Sequence, residues 1–349
     1  MRLNRTLLML ALALPLSEGV LSDRLAAQDI HFTQFQHVPL AVNPAQAGLY
    51  EGTFRISALY RSQWYGSGNS SVKGGYQTPI VNIDVPIKGL RKQDWIGIGV
   101  NVFQDKAGTG ILTTSLAALS GAYHIGLDNK GTSVFSIGAQ YGIGSRRVDF
   151  SKLRPADAII SGQPSIDLQN VENNGKSYSD FSLGINYRNV FDVKKKNKFN
   201  IGLSVEHLLA PKDNLVKATV SRLPARINVY TSVDVMMTKL FSLHPAIIFR
   251  TAGGQSETMA QAMVGLKLDP KKDLVIKAGL GYRLGDAAQV LLGADFGDFR
   301  AGLAYDVTVS NLRSSSVGAI KDGFEIAVSY IGKIYKKPNP PTTILCPRY

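Results

Sequence analysis

The feature that most constrains the fold is a series of fourteen runs in which apolar and polar residues alternate, spread over residues 51–334. Such alternation is typical of β-strands, because successive side chains point to opposite faces of a sheet. Near residue 280, for example, Ile276, Leu280 and Tyr282 alternate with Lys277 and Arg283. The runs lie near residues 53–64, 76–87, 94–105, 112–127, 132–144, 178–191, 198–209, 225–237, 241–252, 257–269, 274–285, 288–298, 299–310 and 318–334.

The length of these runs favours a membrane barrel over a soluble sheet. Soluble strands are usually about five or six residues long, whereas a tilted strand needs about ten to cross a bilayer. The count is even, and a sheet in lipid must close so that every backbone polar group is paired. The sequence therefore predicts a transmembrane antiparallel up-and-down β-barrel of about 14 strands. A soluble secreted sandwich also alternates, and it stays open as an alternative.

The two ends of the chain differ from the strand region. Residues 1–27 are predicted to be a signal peptide, because Arg2 and Arg5 precede a short apolar stretch and small residues precede Gln28. Residues 28–50 are predicted to be an N-terminal periplasmic or plug segment, residues 51–334 the barrel, and residues 335–349 a periplasmic tail that holds the single cysteine, Cys346. The predicted location is the outer membrane, reached by export.

Loop lengths predict the orientation of the barrel. Outer-membrane barrels keep short turns on the periplasmic side and long loops outside. The even-numbered connections are short, and the longest ones, at 65–75, 145–177 and 210–224, are odd-numbered. Aromatic residues gather near strand ends, as expected of interfacial girdles. They are Trp64, Tyr65, Trp95, Phe103, Tyr178, Phe191, Phe199 and Phe241.

The formal net charge is +13, and the position of the excess positive charge in the barrel bears on which partner the chain could bind. Charged residues predicted on the lumen face nearly cancel, so the excess falls on the short turns and the tail. Its densest part is Lys194, Lys195 and Lys196, with Lys198 beside them. This basic face is either a solvated rim or a docking face for a periplasmic partner. We expect no nucleic-acid partner, because the chain is exported and has no binding motif for one.

No pattern in the sequence points to catalysis. The five histidines have no metal-ligand spacing with one another or with the cysteine, and no Gly-x-Ser-x-Gly motif occurs. The glycine run at 279–285 lies within a strand, where glycines clear space or permit curvature. We therefore predict a protein that is not an enzyme, without catalytic, cofactor-binding or metal-binding residues.

The N-terminal part of the predicted mature chain carries a dense set of residues that form a recognisable signature. They are Gln28, Asp29, Phe32, Gln34, Phe35, Pro39, Leu40, Asn43, Pro44, Ala47, Gly48, Tyr60, Arg61, Gln63 and Trp64. This set resembles the N-terminal signature of the PorP/SprF family, outer-membrane proteins of type IX secretion systems in the Bacteroidota. The tail sequence TTILCPRY also looks like a family ending. His37 departs from the common pattern of the family, and the 145–177 loop is long.

The resemblance implies a barrel that engages the periplasmic lipoprotein ring of the secretion machine, or that exports or anchors a surface adhesin carrying a C-terminal sorting domain, including gliding adhesins. In this reading Phe32, Phe35, Asn43 and Pro44 are candidate partner-binding residues, together with the lysine cluster. A plug without a separate task explains the same apolar residues, which need burial somewhere. A passive channel or transporter for small solutes remains the alternative function.

Overall fold

The computed structural model describes residues 30–64, 75–89, 93–107, 112–149, 175–212, 222–269, 273–310 and 322–334. Fourteen antiparallel strands pair in chain order, and the first also pairs with the last, so the sheet closes into a barrel. The predicted fold is confirmed. The strands are β1 (Phe54–Gln63), β2 (Tyr76–Lys88), β3 (Trp95–Ala107), β4 (Leu112–Gly126), β5 (Ser133–Val148), β6 (Lys176–Asp192), β7 (Asn197–Glu206), β8 (Arg226–Met236), β9 (Phe241–Ala252), β10 (Gln255–Asp269), β11 (Leu274–Arg283), β12 (Ala287–Phe296), β13 (Phe299–Thr308) and β14 (Gly323–Gly332).

The apolar side of every strand pattern faces outward. In β2, Val81 and Ile83 are exposed on the outer face, whereas Asn82 and Asp84 between and beside them are buried on the lumen face. A sandwich would bury the apolar side between two sheets, so the soluble alternative is wrong. The outer surface is the kind of apolar band that lipid covers. Among the described residues, no helix has the length and hydropathy of a membrane span.

The two ends of the barrel differ in their connections. At the short-turn end, the strands are joined by residues 89–94, 127–132, 193–196, 237–240, 270–273 and 297–298. At the long-loop end, the connections include residues 64–75, 149–175, 207–225 and 309–322. By the usual rule for such barrels, the short-turn end faces the periplasm. The predicted signal peptide, the tail with Cys346 and the loop residues 65–74, 150–174, 213–221 and 311–321 lie outside the described residues.

The aromatic girdle is only partly as predicted. Phe191 and Phe241 are exposed at the short-turn end. Trp95, Phe103 and Tyr178 instead have the parity of the lumen face, and Tyr178 is 9% exposed. Proximity to a strand end was the wrong criterion for these three residues, because the face of a side chain is set by its register position.

We expect the outer face to reject charge according to depth. Leu292 lies in the middle of β12 and Leu268 near the end of β10, and both are exposed on the outer face. Leu292→Arg should lower the free energy of unfolding from a bilayer by about 2–4 kcal/mol, whereas Leu268→Arg should cost about 0–1 kcal/mol. Urea titration of barrels refolded in lipid vesicles measures both values. Equal effects of the two changes would contradict the lipid-facing assignment.

Candidate functional site

An N-terminal segment, residues 30–50, runs through the whole lumen. Its first described residue lies at the long-loop end, where Nη1 of Arg226 donates to the carbonyl oxygen of Ile30 at 2.9 Å. Its last part lies at the short-turn end, where Nε1 of Trp95 donates to the carbonyl oxygen of Gly48 at 3.0 Å. The chain then turns into β1. We call residues 30–50 the lumen segment.

The part of the lumen segment nearest the long-loop end is held by a buried ionic cluster. Backbone N–H groups of Thr33 and Gln34 donate to the two carboxylate oxygens of Glu325 at 2.7 and 2.8 Å. Arg61 pairs with Glu325 and also with Asp306, at 3.1 Å, while Arg283 pairs with Asp306 at 3.0 Å. All four charged residues are at most 3% exposed. Two cations and two carboxylates therefore balance each other where water is excluded.

The hydroxyl of Thr33 sits at the centre of this ionic cluster. It donates to Asp306 at 2.8 Å, and it accepts from Arg61 and Arg283 at 3.1 Å each. The nitrogen Nε2 of Gln289 is 3.3 Å from the same oxygen. A single threonine of the segment thus joins side chains from β1, β11, β12 and β13.

Lumen side chains also take up the free carbonyl groups of the segment. The segment folds into three 3₁₀ helices, Phe35–His37, Pro39–Ala41 and Pro44–Gln46. Helices this short leave most of their carbonyl oxygens without internal partners, and a buried carbonyl needs a donor. Polar lumen side chains supply these donors. The pairs are Gln140 to Leu40, Ser204 and Asn228 to Val42, His124 to Ala47, and Arg188 to Leu49. Arg55 also donates to the carbonyl oxygen of Gln46, which accepts from the backbone N–H of Leu49 as well.

Asn43 fixes the third helix against the wall. Its Oδ1 accepts from the backbone N–H of Ala45 at 2.8 Å, which caps the helix that begins at Pro44. Its Nδ2 donates to backbone carbonyl oxygens of the wall, at 2.9 Å to Ile185 and 3.2 Å to Leu203. The Asn-Pro pair of the signature is therefore buried structure inside the barrel.

Lumen-facing glycines make room for the backbone of the segment. A Cβ atom on Gly97 would lie 1.7 Å from the carbonyl oxygen of Ala47, and one on Gly184 would lie 2.0 Å from Oδ1 of Asn43. A Cβ on Gly138 would lie 2.4 Å from the backbone nitrogen of Ala45. These glycines do more than widen the lumen, because each lets the segment touch the wall.

The apolar side chains of the segment are buried in three clusters, the smallest of which joins Leu40 and Ala47 to Ala122 of β4. Phe35 and Val42 belong to one cluster, which includes Ile248 of β9 and Met259 of β10. Phe32 and Val38 belong to a second cluster, which includes Leu59, Ile80 and Ala327 of β1, β2 and β14. Together with the hydrogen bonds, these clusters connect the segment to all fourteen strands.

His37 lies in the lumen segment, outside the strands, and its side chain is neutral there. Burial lowers the pKa of His37 to about 4. Its imidazole therefore adds no positive charge to the lumen at neutral pH.

The predicted partner-binding residues fall into two separate groups. Phe32, Phe35, Asn43 and Pro44 are buried in the lumen, where a partner could reach them only if the segment left the barrel. Lys194, Lys195 and Lys196 are exposed in the turn between β6 and β7, at the short-turn end. Lys198 lies within β7 and pairs with Asp234 at 3.0 Å. Partner binding by either group stays a prediction.

One hydrogen-bonded chain has the order of a catalytic triad. Oγ of Ser242 is 2.8 Å from Nε2 of His244, whose Nδ1 is 2.6 Å from Oδ1 of Asp234. Ser242 is only 7% exposed, and its backbone pairs with Met236 and Gly265 in the ladders. We therefore assign these residues to the polar lining, where Asp234 also binds Lys198.

Among the described residues, no group of three or more His, Cys, Asp or Glu side chains has an arrangement that could hold a metal ion.

Sequence reasoning missed several residues of the lumen site. Thr33, Arg226 and His124 gave no signal of their own, since each finds its partners only when distant parts of the chain meet. Strand parity was the one clue available for Arg226, which alternates in β8 with the outward-facing Ile227 and is buried on the lumen face.

These observations define a class, the closed outer-membrane β-barrel with its own N-terminal segment inside. The family model for "Type IX secretion system membrane protein PorP/SprF" matches residues 24–330. The chain belongs to this family and is a type IX secretion outer-membrane component. No curated protein matches the sequence significantly.

Solved structures share the barrel at low sequence identity. A TodX deltaS2S3 mutant monoaromatic hydrocarbon channel is 11% identical, with a TM-score of 0.50 over 84% of this chain and 94% of that one. The Ralstonia pickettii toluene transporter TbuX is 10% identical, with a TM-score of 0.49 over 85% and 94%. At 11% identity, the similarity to the TodX mutant shows the fold alone.

The close contact at Gly97 gives a direct test of the packed lumen. Gly97→Ala should lower the free energy of unfolding by about 1–3 kcal/mol, because the new methyl group meets backbone that cannot give way. Gly121→Ala is the matched control in the neighbouring strand, since nothing lies within 4 Å of its added Cβ. Urea titration in lipid vesicles measures both variants, and equal stability of the two would contradict the packing described here.

Proposed function

We propose that this barrel is a filled outer-membrane scaffold that docks the periplasmic part of a type IX secretion machine at its short-turn end. In this role it supports the export or surface anchoring of an adhesin, as in gliding. The partners would be the periplasmic lipoprotein ring and a secreted adhesin with a C-terminal sorting domain. We propose no catalytic step and no cofactor.

The observation that carries this proposal is the lumen segment itself. It packs along the lumen from one end to the other and contacts every strand. A passive channel for small solutes would have to expel this segment and break the buried ionic cluster. A scaffold needs no such step, so the geometry favours docking over conduction.

The charge at the short-turn end supports docking there. Lys194, Lys195 and Lys196 are exposed, and so are Lys130 and Lys239 in other connections of the same end and Lys88 at the last position of β2. Exposed charges of one sign steer a partner of opposite sign and set its orientation. We therefore expect an acidic surface on the periplasmic partner.

Charge reversal of the turn tests the proposal. Lys195→Glu combined with Lys196→Glu should reduce recovery of the periplasmic partner in mild detergent by about tenfold, since two favourable charges become repulsive. Display of the adhesin on the cell surface should fall with it. Quantitative mass spectrometry of the purified complex and antibody labelling of whole cells provide the two readouts.

The matched control is Lys176→Glu combined with Lys212→Glu, which changes two exposed lysines at the long-loop end. This control should leave recovery and display unchanged. Full recovery of the partner with the short-turn variant would contradict docking at this end. Intact adhesin display in cells that lack the barrel altogether would contradict the wider proposal.

A further inference from the structure

A proline interrupts the barrel wall near the long-loop end. Strands β2 and β3 pair at Gln77 and Lys106, and the pairing resumes only at Ile80 and Phe103. Pro79 lies in this gap, and it pairs with β1 through Tyr60 on its other side. Proline has no N–H to give to the ladder, so the gap falls on the β3 side. Both strands are described throughout this stretch.

The wall forms an open groove at this gap, with a volume of about 590 Å³. This volume lies within the range of ligand sites. Nine of its thirteen lining residues have the parity of the outer face, which makes it a feature of the lipid side of the wall. They are Pro79, Val81, Val102, Gln104, Ser115, Ala117, Ile143, Ser145 and Ser177.

The floor of the groove is apolar. Val81, Val102, Ala117 and Ile143 form one continuous row across β2 to β5, because each pairs with the next in the register. Ala117 is the smallest of the four, and it leaves a depression between its larger neighbours. Two residues further along each strand toward the long-loop end, the next row on the same face is polar and uncharged. That row holds Gln104, Ser115, Ser145 and Ser177.

The third row, nearest the long-loop end, carries positive charge. Lys106 pairs with Thr113, which pairs with Arg147, so the two cations lie in one row on alternate strands. Both are exposed on the outer face. Strand spacing places their backbones about 10 Å apart, and each row lies about 7 Å from the next. Within about 14 Å, the surface changes from apolar through polar to cationic.

This order matches one kind of molecule in a membrane, a lipid with an anionic headgroup. We propose that the groove binds one acyl chain of a phosphate-bearing lipid in the leaflet at the long-loop end. Lys106 and Arg147 contact its phosphate, and the serine and glutamine row meets the polar region below the headgroup. The groove opens to the hydrocarbon side, which a water-soluble ligand does not enter.

Lipid binding by the purified barrel tests this proposal. In a zwitterionic detergent, native mass spectrometry should detect one molecule of monophosphoryl lipid A per barrel, and much less phosphatidylcholine. Lys106→Glu combined with Arg147→Glu should weaken lipid A binding by about 30-fold. Ala117→Phe should fill the groove and also weaken binding. Inorganic phosphate at the same concentration should not displace the lipid.

Matched variants separate the site from general charge and bulk. Lys195→Glu with Lys196→Glu makes the same change of charge at the other end, and Ala278→Phe adds the same ring to an exposed outer-face alanine of β11. Both should bind lipid A like the wild type. Lys106→Arg combined with Arg147→Lys should also retain binding, because it keeps a positive charge at each position. Wild-type binding by the charge-reversed or Ala117→Phe variant, or equal loss in the controls, would overturn the proposal. A heat-dependent shift in gel mobility verifies that each variant is folded.

Discussion

The structure depends on a balanced set of buried charges that joins the lumen segment to the seam of the barrel. Arg61 of β1 and Glu325 of β14 are register partners across the closing pair of strands, and they pair with each other. Arg61 also donates to the hydroxyl of Thr33, and Glu325 accepts from the backbone N–H of Thr33. Loss of one member would leave an uncompensated buried charge, which typically costs about 3–5 kcal/mol. The same few side chains therefore close the sheet and hold the segment.

The polar lumen and the segment explain each other. The inner face of a barrel carries polar side chains, and each buried one needs a partner. The segment offers backbone N–H and carbonyl groups that its short 3₁₀ helices leave free, and lumen residues such as Gln140 and Ser204 pair with them. In return, Phe35 and Val38 find apolar niches between polar neighbours. Outside the barrel, the apolar face needs only lipid, and the groove beside Pro79 is where we propose that one lipid binds specifically.

Much of the fold could be predicted because alternation is a local signal. The outward face of β2, for example, follows from Val81 and Ile83 alone. The interior could not be predicted in the same way. The sequence around Thr33 does not predict its contacts with Asp306 and Glu325, because both residues lie more than 270 positions away in the chain. Trp95 was predicted to belong to an interfacial girdle because its position near a strand end was used in place of its register, which puts it on the lumen face.

The lumen segment is the central claim, and its accessibility tests it most directly. In a Cys346→Ser background, Val38→Cys places a single thiol at a fully buried position of the segment. Maleimide should label it in the folded barrel at least about a hundredfold more slowly than Lys195→Cys in the exposed turn. Labelling of both thiols at the same rate would show that the lumen is not occupied as described.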